Sequence, residues 1–330
     1  MRRRDFIGLT AGAAAIGALG ACADGAGGHT RLSRRPANEP RLDAAQFARE
    51  RRWLEMRFGR IAYVERGAGD AALFLHGFPL NGFQWRGAIE RLASLRRCVA
   101  PDFLGLGYTD VAPGQGVGPD AQVAMLLELL DALRIRRADV VASDSGGAIA
   151  QLLVVRHPER VRSLLLTNCD AELDSPPPAL MPVIELAKQG EFVDRWLAPW
   201  LADKALARSP KGIGGMCYTD PAHPTDEAIE TYFAPLVASS ARKALVHAYV
   251  VALEQNPLAG IAAELSRSRV PARIVWGMAD HIFAKSSPDE LDRDFGNSRG
   301  VRRLEGRKLF WPEELPDIVA EEARGLWLDA

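Results

Sequence analysis

The chain has 330 residues, 48% of them hydrophobic and 25% charged, with a formal net charge of −1. This is enough apolar material for one or two globular domains. A polytopic membrane protein is excluded, because no internal run approaches the roughly 20 apolar residues of a spanning helix. The near-neutral balance leaves no electrostatic footprint for nucleic acid, and the composition is too apolar for a disordered scaffold.

In chain order, Arg2, Arg3 and Arg4 precede Asp5, Phe6 and Ile7, and a mildly apolar run of small residues reaches Ala21. A basic start, an apolar middle and small residues before a break are the layout of an export signal. The paired arginines resemble the twin-arginine signature, and Leu19-Gly20-Ala21-Cys22 resembles a lipobox, in which Cys22 would carry the lipid. Residues 1–21 are therefore expected to be a signal and residues 22–50 a tether, which places the mature protein in the periplasm or on a membrane through Cys22. Alternation on both sides of Phe58-Gly59-Arg60 predicts a hairpin. Short apolar runs predict buried strands at Ala71–Leu75, Arg97–Pro101, Ala138–Ala142, Val161–Thr167 and Ala272–Trp276. Helical spacing of Val123, Leu126, Leu127, Leu130 and Leu133 predicts a helix over 119–133. Continuous apolar strands alternating with helices imply a mostly parallel central sheet of an α/β domain. Past Pro176-Pro177-Pro178 the pattern turns helical, which predicts an inserted cap over residues 171–264 and a core made of 51–170 and 265–330. Cys98, Cys169 and Cys217 have no paired spacing and read as free thiols.

The string Val140-Val141-Ala142-Ser143-Asp144-Ser145-Gly146-Gly147-Ala148 joins a strand to a helix. A sharp turn of that kind needs small neighbours and presents one side chain above the sheet. With Asp144 at the tip, Ala142, Gly146 and Gly147 supply them; with Ser145 at the tip, the small positions fall on Ser143, Gly147 and Ala148. Asp144 fits better as the nucleophile.

Around this turn, His76-Gly77-Phe78-Pro79 with Trp85 and Arg86, then Asp102-Phe103-Leu104-Gly105-Leu106-Gly107, then His157-Pro158-Glu159-Arg160-Val161 and Trp276-Gly277-Met278-Ala279-Asp280, resemble α/β-hydrolases in order. An Asp at the elbow resembles the haloalkane dehalogenase and epoxide hydrolase branch. The resemblance covers about residues 50–325. It implies an α/β-hydrolase fold in which a carboxylate attacks a substrate carbon, leaving an ester that a histidine-activated water hydrolyses. By position, Asp144 is then the nucleophile and Asp280 the acid that orients the base, with Asp170 a second candidate acid. The N–H groups of Phe78 and Ser145 would make the oxyanion hole. His76, Pro79, Trp85, Asp170 and Tyr232 would line the pocket for a small, largely apolar substrate. No metal or organic cofactor is implied, and no nucleic-acid partner.

One position departs from the family. Its base belongs to a segment resembling G-x-x-H-F-x-x-E-E-x-P, and this chain reads Gly306-Arg307-Lys308-Leu309-Phe310-Trp311-Pro312-Glu313-Glu314-Leu315-Pro316. Leu309 stands where the histidine belongs. His281, directly after Asp280, is the first candidate to replace it, with His76 and Lys308 behind. The expected activity is hydrolysis through Asp144; the alternatives are a ligand-binding derivative with no turnover and a serine hydrolase using Ser145.

Overall fold

The computed structural model describes residues 42–328; the expected signal, Cys22 and most of the expected tether lie outside the described residues. Nine strands form one sheet: β1 Arg51–Met56, β2 Gly59–Arg66, β3 Ala71–Leu75, β4 Arg97–Pro101, β5 Asp110–Val111, β6 Ala138–Asp144, β7 Val161–Cys169, β8 Ala272–Gly277 and β9 Ser298–Leu304. Their order is β1-β2-β4-β3-β6-β7-β8-β9, with β5 paired to β2. The β1–β2 hairpin is antiparallel and β2 runs antiparallel to β4; from β4 onward every pairing is parallel. Every residue of β3 and of β6 is buried. Strands buried on both faces cannot alternate polar with apolar, which is why they read as unbroken hydrophobic runs.

The chain leaves β3 toward β4 on one side and returns past it to β6 on the other. Open α/β sheets bind ligands outside the carboxyl ends of strands flanking such a reversal, because the following loops diverge there and leave a crevice. The carboxyl end of β3 leads into His76-Gly77-Phe78-Pro79, and that of β6 is Asp144 itself. Helices Arg86–Leu92 and Pro316–Leu328 pack on each other, and Pro119–Ala132 packs on Ser145–Arg156. From Glu172 to Leu265 the chain is helical, with no strand between β7 and β8.

Two segments differ from the sequence reading. Ala44–Glu50, expected within the tether, is a helix capped by the Asp43 side chain accepting from the Gln46 N–H. It is ordered by packing: Phe47 is buried, with its ring 5.3 Å from that of Phe83. A single apolar anchor in a polar stretch has no period to detect. The strand β9 was not expected either, since Arg299, Arg302 and Arg303 interrupt it. It is the edge of the sheet, where charge blocks pairing with other chains, and its arginines pair with Glu322 and Asp289.

Candidate active site

The turn after β6 is strained at one residue. Asp144 has φ 55° and ψ −136°, a conformation non-glycine residues seldom adopt, whereas Ser145 is already the first residue of the helix Ser145–Arg156. Strain of that kind persists only where the surroundings over-determine it. Here two close approaches do so. A Cβ at Gly146 would lie 2.5 Å from the His76 carbonyl oxygen, and one at Gly147 would lie 2.3 Å from the Cys169 Cβ. Only glycine lets the helix start this close to β3 and β7, and that closeness lifts Asp144 above the sheet.

The N–H groups of Phe78 and Ser145 both donate to Asp144 Oδ1, at 2.8 and 2.5 Å. These are the two groups expected to form an oxyanion hole, and they converge on one oxygen of the expected nucleophile. His76 lies beneath this loop, fully buried. Its Nδ1 lies 2.9 Å from the Gly77 carbonyl oxygen and its Nε2 accepts from the Phe103 N–H at 3.1 Å, so the proton is on Nδ1. Burial holds its pKa below the usual value. His76 therefore braces the Phe78 loop as a neutral ring, and it does not reach the cavity.

Above Asp144 is an apolar cavity of about 110 Å³ between sheet and cap. Phe78, Pro79, Asp144, Ser145 and Asp170 line it from the core, and Leu309 closes it from the late segment. The cap supplies Phe192, Trp196 and Trp200, four residues apart through the π turn Val193–Leu197, so the three rings share one face. Adjacent rings in this row lie 5.7 and 5.4 Å apart. Sequence reasoning missed them, although the i, i+4, i+8 aromatic spacing was there to find.

Burial governs the charges. It pushes the Asp144 carboxyl up to about 6, against the opposing pull of the two N–H donors. Asp170 ends up at about 8, raised first by burial and then by the neighbouring Asp144 charge. Asp280 is raised by burial to about 6 while accepting from the Ile282 N–H at 2.8 Å and from Asn168 Nδ2 at 2.9 Å. Asn168, which no sequence motif singles out, also accepts from the Gly277 N–H and from the Trp311 indole, and so ties β7, β8 and the late segment together.

The expected site residues separate into two groups. The structure brings Asp144, Phe78, Ser145, Pro79 and Asp170 to one cavity, and places Asp280 buried nearby, its charge acting on Asp144. It removes four others. His281 is exposed and does not line the cavity, because its neighbours Ile282 and Phe283 turn inward instead. Trp85 packs its ring 5.8 Å from Phe74 inside the core. Tyr232 points to Glu313, its hydroxyl donating to Oε2 at 2.9 Å. His76 was placed above. Lys308 donates to the Gly215 carbonyl at 2.6 Å and is likewise turned away. Among the described residues no histidine lines the cavity. The Ser145 hydroxyl shares a 2.9 Å hydrogen bond with the Tyr249 hydroxyl, and no imidazole is placed to activate it.

The late segment is intact apart from its base. Leu309 is 2% exposed. The Phe310 N–H donates to the Cys217 carbonyl, and Glu313 accepts from Arg86 at 2.6 Å, Tyr218 at 2.7 Å and Tyr232 at 2.9 Å. Glu314 accepts from the N–H groups of Thr219 and Asp220. Four of these hydrogen bonds on two glutamates, from Tyr218, Tyr232, Thr219 and Asp220, thus fasten the cap to the core.

A strained acidic elbow at the carboxyl ends of a parallel sheet, roofed by helices, is the architecture of an α/β-hydrolase. The model of the alpha/beta hydrolase fold family matches residues 71–310, and the chain belongs to that family. Haloalkane dehalogenase 2 of Mycobacterium tuberculosis is 28% identical over 294 residues, which cover 84% of this chain and 95% of that protein. Among solved structures, an epoxide hydrolase superposes with a TM-score of 0.70 at 19% identity, covering 84% of this chain and 98% of its own. An α/β-hydrolase fold protein from Burkholderia ambifaria gives 0.71 at 24%, covering 82% and 96%. The chain is thus an α/β-hydrolase related to the haloalkane dehalogenases and epoxide hydrolases.

Proposed function

We propose that this protein acts on small apolar alkyl electrophiles through Asp144, which forms an ester with the substrate carbon. The observation that carries this reading is the convergence of two backbone N–H groups on Asp144 Oδ1. With Oδ1 held, Oδ2 is the oxygen available to attack. The ester carbonyl that results already lies in its oxyanion hole, so stabilisation of a tetrahedral adduct needs no rearrangement. An apolar cavity of about 150 Å³ holds one benzene, so a cavity of about 110 Å³ suits a short aliphatic substrate.

Release of the ester is the weak half of this cycle. Leucine neither accepts nor donates a proton, and loss of a general base costs about 10²–10⁴-fold. Haloalkanes are therefore expected to leave a persistent adduct. Incubation with 1-iodopropane followed by intact and peptide mass spectrometry tests this: a propyl increment on Asp144 is expected, and none in Asp144→Asn. The increment appearing on another residue, or in the variant, overturns the assignment. The placement of Leu309 favours a second reading, a ligand-binding derivative, which predicts retention of small apolar molecules and no increment from any electrophile.

A further inference from the structure

We propose that Asp170 is the second catalytic residue of this cavity, donating a proton to the opening oxygen of a small epoxide and then, as a carboxylate, activating the water that frees Asp144. The inference rests on Asp144 as nucleophile and adds the acid and base that Leu309 cannot supply.

The argument begins with which groups can move a proton inside the cavity. Asp144, Asp170, Ser145 and Cys217 are the lining residues with a transferable proton or a site for one. Ser145 is engaged with Tyr249, and burial raises the Cys217 thiol well above its usual range. The cap tyrosines that could serve as acids are engaged elsewhere: Tyr218 and Tyr232 both donate to Glu313, and Tyr249 is hydrogen-bonded to the Ser145 hydroxyl and does not line the cavity. Asp170 remains. Cys169, the last residue of β7, pairs with Asp144 at the end of β6, so Asp170 is the first residue past the adjacent strand. Its backbone is fixed by Gln151 Nε2 donating to its carbonyl at 2.8 Å, and its Oδ1 accepts from the Ser175 hydroxyl at 3.0 Å.

The groups acting on Asp170 are Asp144, Asp174 and Ser175, and no lysine, arginine or histidine lines the cavity among the described residues. Two carboxylates in an apolar space with no cation cannot both be charged cheaply, and one keeps a proton. Asp144 has the N–H groups of Phe78 and Ser145 and the Ser145 side chain to stabilise its charge, and Asp170 has the Ser175 hydroxyl and its own N–H. The pair therefore settles as Asp144 carboxylate and Asp170 carboxylic acid, with Asp144 at about 6 and Asp170 at about 8.

That distribution distinguishes leaving groups. When Asp144 Oδ2 attacks an epoxide carbon, the new C–O bond forms as the ring C–O bond breaks, and the electron pair goes to the ring oxygen. That oxygen takes the Asp170 proton and becomes a hydroxyl, leaving Asp170 as a carboxylate. Asp170 then removes a proton from water as its oxygen adds to the ester carbonyl carbon. The tetrahedral adduct collapses, expelling the second alkoxide, which takes the proton of the hydroxyl just added. One epoxide and one water have become a diol, Asp144 is again a carboxylate and Asp170 again an acid. A halide leaves with its electron pair and needs no proton. Asp170 then stays protonated, no base is generated, and the ester remains.

The test compares 1,2-epoxybutane with 1-iodopropane on the full chain. Wild type is expected to convert the epoxide to the diol over many turnovers and to stop at the Asp144 ester with the iodide. Asp170→Asn is expected to slow epoxide opening about 100-fold more than it slows alkylation by the iodide, and to leave the epoxide-derived ester on Asp144. On wild type, alkylation by the iodide should rise through about pH 6 and then level, whereas epoxide opening should rise and then fall through about pH 8. Equal slowing of both electrophiles, or an epoxide rate that keeps rising above pH 8, overturns the role of Asp170 while leaving Asp144 in place. Absence of an adduct from the iodide, together with no diol and no adduct from the epoxide, overturns the Asp144 reading and this inference with it.

Discussion

The two halves of the site were built by the same chain to different ends. On the elbow side, every group expected for attack is present: a strained aspartate, two N–H donors on one oxygen, and glycines that admit the helix. On the late-segment side, the surroundings of the base are equally well formed, with Glu313 and Glu314 fastening the cap and the Trp311 indole donating to Asn168, but the base itself is Leu309. The comparison separates two roles that one motif combines. Phe310, Glu313 and Glu314 hold the cap to the core and Trp311 ties the late segment to β7, whatever residue 309 does. A leucine fits there because the site is an apolar wall, and filling it with a hydrocarbon side chain leaves no polar group unsatisfied.

Breaking each half should therefore give different signatures. The largest effect falls on the elbow: Asp144→Asn removes the attacking oxygen, and covalent labelling by 1-iodopropane should drop below detection by mass spectrometry while the circular dichroism spectrum is kept. Next, Leu309→His restores an imidazole among intact surroundings, with Asp280 buried nearby to orient it. Release of the propyl ester should accelerate by about 10²–10⁴-fold, measured as decay of the adduct mass. If the adduct persists in that variant, residue 309 is not the position from which water is activated.

Glu313→Ala acts on stability instead. It strands Arg86, Tyr218 and Tyr232 without their acceptor in a buried site, which should cost about 3–5 kcal/mol in urea unfolding. Asp170→Asn should do the opposite. Its folded pKa is raised, so from the unfolded value near pH 4 up to about pH 8 the unfolded chain ionises while the folded one holds its proton, and stability falls as pH rises. Removing that group should stabilise the fold at pH 7 by on the order of 4 kcal/mol, with the gain vanishing near pH 3. At the end of the scale, His281→Ala should change neither labelling nor release, since the side chain is exposed outside the cavity.

How much of this could be read in advance varied with the kind of residue. The strands β3, β4, β6, β7 and β8 announced themselves because double burial forces unbroken apolar runs. The elbow was legible for a related reason: Gly146 is compelled by the backbone of Leu75 and His76 and Gly147 by the Cys169 side chain, and neither leaves room for a Cβ. The helix Ala44–Glu50 and the edge strand β9 were not legible, because one buried phenylalanine and three interrupting arginines leave no local period. The cavity assignments failed where they relied on nearness in sequence. His281 adjoins Asp280 and Trp85 follows the Phe78 loop, but neighbouring side chains on a loop or strand point apart.

By itself the sequence determined that Asp144 would end a buried strand at the head of a helix, and that no histidine would stand at position 309, since both are statements about which residues occupy fixed backbone positions. The tertiary structure alone decided which distant groups meet there. It set the N–H groups of Phe78 and Ser145 on one oxygen of Asp144, drew Phe192, Trp196 and Trp200 across the cavity, turned Tyr218 and Tyr232 to Glu313, and left Asp170 beside Asp144 in a cavity that no cation lines among the described residues. Such meetings depend on burial, which raises the cost of an unpaired charge many times over its value in water. Burial is a property of the packed chain, and no single segment carries it.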